Sequence, residues 1–288
     1  MVKIGIVSGA IDVDPTSQEL LERAKDRADA KPIDPADFRV VGECFYARGE
    51  RVDRYDALIV RLLNPEGDSD FQFDYLDQLS KRGVYVLNSP PSLAVAESKF
   101  LSSAVLSRAG FRVPEFAVVQ RTEDAISFVE RHQDVVAKPL YGFQGRDVVR
   151  VRAGDDEAIK KISRLIGDYR GILVQPFVPN PGRDIRAFVV GDRVVAAIFR
   201  IAPPGDWKTN VFFGGRVEKA KLRSDAEELS IRAAKAIGLE YTGVDLIEGP
   251  DGLLVLEVNG APAWSGLERA TGKDIARSIV DLVLQKVG

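Results

Sequence analysis

The sequence GVDLIEGPDGLLVLEVNGA, residues 243–261, is the most informative stretch of this chain. Two runs rich in Val, Leu and Ile flank the turn-forming residues 248–252, a pattern that predicts a β-hairpin. Because successive side chains of a strand point to opposite faces, Glu257 and Asn259 share one face while Val258 points into the core. Asp245 lies on the partner strand and faces them if the register of the hairpin suits.

These three side chains offer oxygen atoms, with no thiolate or imidazole among them. Oxygen ligands with few carboxylates suit Mg²⁺ shared with nucleotide phosphates better than Zn²⁺ or Cu²⁺. The alternative is the exposed polar face of a half-buried hairpin. The triplet alone does not decide between a metal site and such a face.

The composition of the chain excludes several classes of function. The 288 residues carry 40 Lys and Arg against 43 Asp and Glu, so no basic excess points to nucleic acid as a partner. The single cysteine, Cys44, excludes an internal disulfide and a multi-thiolate metal site. The single histidine, His132, lies in a polar segment, so the chain has almost no residues suited to Ser-His-Asp or Cys-His catalysis.

The N-terminal sequence MVKIGIVSG begins a strand at once and has neither the length nor the flanks of a signal peptide. No apolar run of the sequence approaches the length of a membrane span. We therefore expect a cytoplasmic protein without a membrane partner.

The pattern along the chain predicts three domains. Residues 1–91 alternate short apolar runs with helical segments, which indicates a small α/β domain with a parallel sheet. Residues 92–180 begin with a helix over 92–109 and continue with strands around a glycine-rich connection. Residues 181–288 contain hairpins and amphipathic helices, so the second half is mixed α+β.

Lys138 ends the apolar run DVVAKP and precedes a loop that contains Gly142, Gln144 and Gly145. A lysine at a strand end facing two glycines suits a nucleotide polyphosphate, because backbone N–H groups can approach the oxygens and the ammonium supplies charge. The loop is not a Walker A motif, since the lysine precedes the glycines. A surface turn after a core strand is the alternative.

Further charged residues cluster in the second half of the chain. Asp184 and Arg186 share one face of a predicted strand, and Arg200 lies across the hairpin. Two arginines beside a carboxylate triplet would bind phosphate or a substrate carboxylate, whereas a cross-strand surface pair is the alternative. One more cation and an amide follow in the segment Lys208, Thr209 and Asn210.

Two further features are ambiguous by themselves. Lys99 is an ordinary solvated lysine of the predicted helix when it is considered alone. The segment Gln175-Pro176-Phe177-Val178 ends a strand and could offer the backbone carbonyl of Pro176 and the N–H of Val178 to an adenine edge. Composition alone does not demand that function.

In this order, the pieces resemble the ATP-grasp superfamily and most closely its RimK-like branch. The resemblance is nearly continuous over residues 174–276, where it includes VQPFVPNPGRDIRAFVVGDRVVAAIFR, WKTN and LEVNGAPAWSGLERATGKDIA. The motifs NSPPS and ESK before and at Lys99, and VVAKPLYGFQG around Lys138, fit as well. Two positions depart from the branch: Ser98 stands where Asp is frequent, and Pro176 stands where the hinge commonly has Glu.

The resemblance implies an ATP-grasp fold, in which two α+β lobes hold ATP and a smaller α/β domain precedes them. It assigns Lys99 and Lys138 to the α- and β-phosphates, with the loop 141–145 closing over them. It assigns the hinge 175–178 to adenine and Asp184 to the ribose.

The same resemblance implies a metal site and a phosphate site on the last lobe. Two Mg²⁺ or Mn²⁺ ions would be held by Asp245, Glu257 and Asn259. Arg200 would meet the γ-phosphate and the phosphorylated intermediate, and Arg186 is a weaker candidate in the same cluster. The residues expected beside the γ-phosphate are Lys208, Thr209 and Asn210.

The reaction that the resemblance implies is an ADP-forming carboxylate–amine ligation. A substrate carboxylate attacks the γ-phosphate of ATP, and an amine, typically L-glutamate, then displaces phosphate from the acyl phosphate. Phosphoryl transfer needs positioning and charge neutralisation more than acid–base residues, which fits a chain with one histidine. The alternatives are glutamylation of a protein C-terminus, an ATP-grasp kinase, and a nucleotide-binding protein without turnover.

The segment GAPAWSGL, residues 260–267, resembles the form that we associate with archaeal-type tetrahydromethanopterin:glutamate ligases. Trp264 could stack on a planar acceptor such as a pterin, or pack in the core. Arg61, at the end of a strand in the first domain, could dock an acceptor carboxylate, or be structural. RimK-like enzymes are often dimers or tetramers, so the resemblance also implies a homodimer or homotetramer.

Overall fold

The computed structural model describes residues 1–142 and 145–288. Its first unit is a parallel sheet with helices, in the strand order β2-β1-β6-β7. This confirms the α/β prediction for the first part of the chain. The elements of this part are β1 (Lys3–Ser8), α1 (Pro15–Lys25), β2 (Asp29–Ile33), β3 (Phe38–Val41), β4 (Cys44–Ala47), β5 (Glu50–Arg51), β6 (Ala57–Leu62), α2 (Ser69–Lys81) and β7 (Tyr85–Leu87).

Strands β3, β4 and β5 form a separate antiparallel sheet, which the sequence analysis did not predict. It packs on the parallel sheet through Phe38 and Phe45, whose rings contact Tyr75 of α2. These aromatic residues belong to the same buried cluster as the apolar side chains of the parallel sheet.

The central part of the chain contains a four-stranded antiparallel sheet in the order β10-β9-β11-β8. Its outer face is buried beneath α5 and α6. The elements are α3 (Pro90–Glu97), α4 (Lys99–Arg108), β8 (Ala117–Val119), α5 (Thr122–His132), β9 (Asp134–Pro139), β10 (Val149–Arg152), α6 (Asp156–Tyr169) and β11 (Ile172–Pro176).

The single helix predicted over 92–109 is wrong in one respect, because it is interrupted at Ser98. Ser98 has an extended backbone (φ −88°, ψ 111°), and its hydroxyl accepts a hydrogen bond from the N–H of Leu101 at 3.2 Å. Serine is a favoured N-cap because its side chain satisfies a backbone donor of the first turn. The interruption places Lys99 at the first residue of α4 instead of in a helix interior.

The last part of the chain is built around a five-stranded antiparallel sheet in the order β14-β13-β12-β15-β16. Its elements are β12 (Arg183–Val190), β13 (Arg193–Ile201), β14 (Arg216–Lys219), α7 (Ser224–Ile237), β15 (Tyr241–Gly249), β16 (Gly252–Asn259), α8 (Ser265–Thr271) and α9 (Ile275–Val287). One face of the sheet packs against α7, and α3 and α4 join that cluster. The boundaries at 91/92 and 180/181 stay predictions.

A β-bulge at Leu256 sets the register of the predicted hairpin. Asp245 pairs with Glu257, but the next residue, Leu246, pairs with Val255. A bulge inserts one extra residue into one strand and so reverses the alternation of faces beyond it. Val255 and Val258 therefore both lie in the core, although they are three residues apart.

The first domain is joined to the last lobe by Asn88, which is 1% exposed. Its amide nitrogen donates to the carbonyls of Tyr241 and Gly260, each at 2.8 Å. Its oxygen accepts from the N–H of Glu240 at 2.8 Å. The junction thus fixes β15 and the chain that follows β16 against the parallel sheet. Among the described residues, no helix has the length and apolar character needed to cross a membrane.

Candidate active site

Charged side chains cover one end of a face of the five-stranded sheet. Asp184 pairs with Arg200 across β12 and β13, and Arg186 pairs with Asp245 across β12 and β15. Asp245 in turn pairs with Glu257. Since directly opposite residues on adjacent strands share a face, the register brings these groups into one layer. The register places Asp245 opposite Glu257, and alternation along β16 puts Asn259 on the same face as Glu257; their role as metal ligands stays a prediction.

The three oxygen-bearing residues of the hairpin are held by neighbouring groups. The amide nitrogen of Asn259 donates to the carbonyl of Gly243 at 3.0 Å, so the amide oxygen is the atom left to bind something else. Glu257 retains 29% of its side-chain exposure, whereas Asp245 is 4% exposed. The set offers two carboxylates and one amide oxygen, a donor chemistry suited to Mg²⁺.

The two arginines balance the buried carboxylates. Arg200 donates from Nε and Nη2 to the two oxygens of Asp184, each at 2.7 Å, and lies 3.0 Å from Asp245 Oδ2. Arg186 forms an ion pair with Asp245 and donates from Nη2 to its Oδ2 at 2.9 Å. Burial disfavours the charge of Arg200, but Asp245 and Asp184 outweigh it and raise the pKa of this guanidinium.

The two predicted phosphate lysines face the same layer from the central lobe. Lys99 donates to the carbonyl of Gly142 at 2.8 Å and lies 3.3 Å from Glu257 Oε1. Lys138 lies on β9, where it pairs with Leu173 of β11, and its ammonium forms no hydrogen bond or ion pair with any residue of 1–142 or 145–288. Burial lowers the pKa of Lys138 to about 8; Glu257 opposes this shift and Lys99 adds to it. Lys138 is thus a half-buried ammonium that forms no ion pair with a described residue.

The hinge segment presents unused donors at the edge of this cleft. The N–H of Phe177 donates to the carbonyl of Asp134 at 2.8 Å, whereas the N–H of Val178 bonds to none of the described residues. Gln175 is 4% exposed, and its amide nitrogen has no partner among them. Unpartnered buried donors are costly, so this edge suits a ligand with acceptor atoms.

Two apolar residues beside the hinge were missed by the sequence analysis. Leu254 pairs with Ile247 across β15 and β16. A side chain built at Gly249 would meet both Leu254 and Val178, which shows that the hinge contacts this end of the hairpin. The alternation of side chains along β15 predicts that Ile247 shares the face of Asp245. The face of Leu254 could not be predicted in this way, because the bulge at Leu256 reverses the alternation along β16.

A loop over residues 202–215 approaches the glycine-rich segment. The Thr209 hydroxyl donates to Asp184 Oδ2 at 2.5 Å, and a Cβ at Gly145 would lie 2.6 Å from Asn210 Oδ1. Lys208 lies 4.4 Å from the ring centre of Phe213, and burial lowers its pKa. Gln144 was predicted to bind ATP and lies outside the described residues.

One open groove adjoins these groups. The groove has a volume of about 640 Å³ and runs between β10 and the loop 202–215. Its wall includes Arg150, Trp207 and Phe212. Trp207 meets the hinge residue Phe177 edge-on at 6.0 Å, so the groove opens beside the hinge.

Arg61 and Trp264 lie in the interface between the N-terminal part of the chain and the last lobe. Trp264 is 0% exposed; its Nε1 donates to Glu19 at 2.9 Å, and its ring packs against Phe188. Stacking of Trp264 on an acceptor is therefore wrong for this structure, and the core alternative is correct.

Arg61 is 4% exposed and also has a structural environment. It donates to the carbonyl of Pro262 at 3.0 Å and to the hydroxyl of Thr16 at 2.8 Å, and it lies over the Trp264 ring. Because these contacts bury the guanidinium between two domains, docking of an acceptor carboxylate on Arg61 does not fit this structure. The structural alternative fits.

Comparison with known proteins identifies relatives that match the chain over its whole length. The sequence model of the RimK-like ATP-grasp domain matches residues 96–283. The tetrahydromethanopterin:alpha-L-glutamate ligase of Methanocaldococcus jannaschii is 36% identical over 99% of both chains. A probable alpha-L-glutamate ligase of Shewanella amazonensis is 32% identical over 93% of this chain and 91% of its own. The solved ATP-grasp ligase PsnB, in complex with a precursor variant, Mg and ADP, has the same fold, with a TM-score of 0.77 at 22% identity over 100% of this chain and 99% of PsnB.

Proposed function

The chain belongs to the RimK-like ATP-grasp family, and we propose that it joins L-glutamate to a carboxylate of a small-molecule cofactor such as a pterin. The observation that carries the proposal is the charged layer of the last lobe, where Asp245, Glu257 and Asn259 adjoin two arginines and face two lysines. An ATP-dependent ligase that forms C–N bonds needs such a layer, because phosphoryl transfer depends on positioned charge.

We place the nucleotide between the two lobes. Lys99 and Lys138 would bind the α- and β-phosphates, with the loop 141–145 closing over them. The ammonium of Lys138 forms no ion pair with a described residue, which supports this assignment. The unpartnered N–H of Val178 and amide of Gln175 would meet adenine. Lys208 and Asn210 would cover the phosphates from the opposite loop.

Asp245, Glu257 and Asn259 fit Mg²⁺, and equally Mn²⁺, by their donor set. All three present oxygen, and the hydrogen bond to Gly243 turns the amide oxygen of Asn259 away from the backbone. Two ions bound here would screen the phosphate charge from the incoming carboxylate. Because Asp245 is paired with both arginines, its oxygens are already organised by cations in the free protein.

The chemistry proceeds in two steps in this proposal. An acceptor carboxylate oxygen attacks the γ-phosphorus, the bond to the β–γ bridging oxygen breaks, and ADP leaves. The amine of L-glutamate then attacks the acyl carbon, phosphate leaves, and the amine proton passes to solvent. Arg200, with Arg186 beside it, would stabilise the charge of the transferring phosphoryl group.

The acceptor is proposed from the relatives, because some of them are named for a particular acceptor and others are named only as glutamate ligases. The Methanocaldococcus jannaschii relative is named for tetrahydromethanopterin, and it covers this chain from end to end. Of the alternatives, glutamylation of a protein C-terminus shares the same chemistry on another acceptor. A kinase would transfer the phosphoryl group to a hydroxyl and stop there.

The test measures ADP release with L-glutamate and a panel of reduced pterins, other cofactor carboxylates and peptides with carboxyl-terminal Glu. We expect pterin-dependent ADP release and a product heavier by one glutamyl residue. Hydroxylamine in place of glutamate should yield a hydroxamate, because it captures an acyl phosphate. ADP formation with a pterin but without hydroxamate or glutamyl product would contradict the ligase mechanism on that acceptor, and release with peptides alone would contradict the cofactor assignment.

A further inference from the structure

Buried side chains of the N-terminal part of the chain hold residues 260–264, the segment between β16 and α8. Arg61 donates from Nη1 to the carbonyl of Pro262 at 3.0 Å, and Asn88 donates to the carbonyl of Gly260 at 2.8 Å. Arg61 is 4% exposed and Asn88 is 1% exposed. Because a buried donor is costly to leave unpaired, these bonds fix the path of the segment as it leaves the sheet.

The guanidinium of Arg61 donates to three different parts of the structure. Besides its bond to Pro262, it donates from Nη1 to the Tyr241 hydroxyl of β15 at 3.3 Å and from Nη2 to the Thr16 hydroxyl of α1 at 2.8 Å. Its central carbon lies 4.7 Å from the centre of the Trp264 ring. The planar fork of an arginine can reach all of these acceptors at once, whereas the single ammonium of a lysine cannot. Arg61 therefore sets the position of Pro262 relative to both β15 and α1.

Pro262 lies at the edge of the charged layer. A Cβ built at Gly243 would lie 3.1 Å from Pro262 Cβ and 2.6 Å from Arg186 Nη1, so both side chains flank the same backbone position. Arg186 reaches from there to Asp245, to which its Nη2 donates at 2.9 Å. Protein interiors are close-packed, so a displacement of the buried Pro262 would change the space available to Arg186.

We propose that Arg61 is a positioning residue for phosphoryl transfer, which holds Pro262 beside Gly243 and thereby keeps Arg186 on Asp245. The contacts run from the Arg61 guanidinium to the carbonyl of Pro262, from Pro262 to the backbone position beside Arg186, and from Arg186 to Asp245. Arg61 itself contacts neither the nucleotide nor the acceptor in this role. The inference rests on the proposed function only in that Arg186 acts on the transferring phosphoryl group.

The first test is a double-mutant cycle of Arg61→Lys and Arg186→Gln, measured as ADP release with ATP, Mg²⁺, L-glutamate and the reduced pterin that the wild type uses. We expect Arg61→Lys to lower kcat at least about tenfold, because a misplaced group loses much of its effect on the transition state. The KM for ATP should stay within about twofold of the wild-type value. In the Arg186→Gln background, Arg61→Lys should lower kcat less than about twofold, because the group through which Arg61 acts is already absent. Effects on kcat that multiply in the double variant, or a rise in KM in place of the fall in kcat, would overturn the proposal.

The matched control is Tyr85→Phe, which removes another bond between the N-terminal part of the chain and the last lobe. The Tyr85 hydroxyl donates to Glu240 at 2.8 Å, so this bond joins the same two parts of the protein without using residues 260–264. We expect Tyr85→Phe to lower Tm and to leave kcat within about twofold of the wild-type value. An equal loss of kcat in Tyr85→Phe and Arg61→Lys would show that any loosening of the interface suffices, which contradicts a specific role for Arg61.

Hydrogen exchange measured by mass spectrometry tests the same contacts without turnover. The peptide 259–264 should exchange about tenfold faster in Arg61→Lys than in the wild type, and at the wild-type rate in Tyr85→Phe. Equal exchange in all three proteins would refute the proposal. Where Arg61→Lys does not fold, Pro262→Gly, which removes the ring beside Gly243, replaces it in the cycle with the same expectation. If the wild type releases no ADP with any acceptor, the proposed function fails, and the exchange of residues 259–264 then decides by itself whether Arg61 holds this segment.

Discussion

Raising the pH from 7 to 9 in the absence of Mg²⁺ should weaken ADP binding about tenfold, because Lys138 loses its proton over this range. The pKa of Lys138 in the free protein is about 8, and burial is the main cause of the decrease. The protonated ammonium is the form that attracts phosphate. ADP therefore binds best below this pKa, and its affinity falls as the pH rises through it.

The magnitude follows from the fraction of protein that carries the proton. A group with a pKa of 8 is about nine-tenths protonated at pH 7 and about one-tenth protonated at pH 9. Bound phosphates keep Lys138 protonated in the complex, so the full loss appears in the affinity. Phosphate groups titrate near pH 6, so ADP itself contributes little above pH 7.

The assay is calorimetric titration of ADP in EDTA at half-unit steps from pH 7 to pH 9.5. The matched control is Lys138→Arg, which keeps its charge at every pH in this range and should give a nearly flat profile. Lys138→Gln should bind weakly and without this pH dependence. A wild-type profile as flat as that of Lys138→Arg would refute the reasoning, and so would an equal decrease in all three proteins.

Three further predictions concern Glu257 of the candidate metal site, Gly243 beside Arg186, and Glu268 of α8. Glu257→Gln should weaken Mn²⁺ binding in the presence of ADP by at least about tenfold, measured by calorimetry, and an unchanged affinity would remove Glu257 from the metal site. Gly243→Ala places a Cβ 2.6 Å from Arg186 Nη1 and should lower the free energy of unfolding in urea by about 1–3 kcal/mol. The control is Gly266→Ala, where no atom lies within 4 Å of the new Cβ, and it should leave this free energy unchanged. Burial raises the pKa of Glu268 to about 7, with Glu19 adding to it. Between pH 4.5 and 7 the native state therefore binds a proton that the unfolded state does not, so wild-type stability falls as the pH rises through that window. Glu268→Gln should flatten the dependence of Tm on pH. An unaltered dependence would contradict the shift in the pKa of Glu268.

Several parts of the fold could be predicted because they depend on local patterns. The hairpin 243–261 is predictable from its turn-forming residues and from the alternation of side chains along its strands, because both are properties of a few adjacent residues. The parallel sheet of the first domain was readable from apolar runs between helical segments. The three-stranded sheet at 38–51 escaped detection, because short strands without strong alternation resemble loops.

The candidate site shows the same division. Asp245, Glu257 and Asn259 were identified from chemistry and parity, and the register then brought Asp245 opposite Glu257. The engagement of Asp184 by Thr209 joins residues 25 positions apart and has no local signal. For Arg61 and Trp264, chemistry pointed to the acceptor, but burial in the domain interface decided otherwise.

The chemical groups that are present follow from the sequence alone, and so does the face of each side chain along any stretch of strand without a bulge, because side-chain alternation is a local property of the backbone. The sequence thereby determined an oxygen-rich hairpin and the family whose motifs surround it. The partners of each charged group depend on tertiary contacts. The bulge at Leu256 depends on how two strands pair, and the Asp184–Thr209 bond joins a strand to a loop, so no local rule of spacing contains that information. The break at Ser98 is different, because a serine N-cap is a local feature.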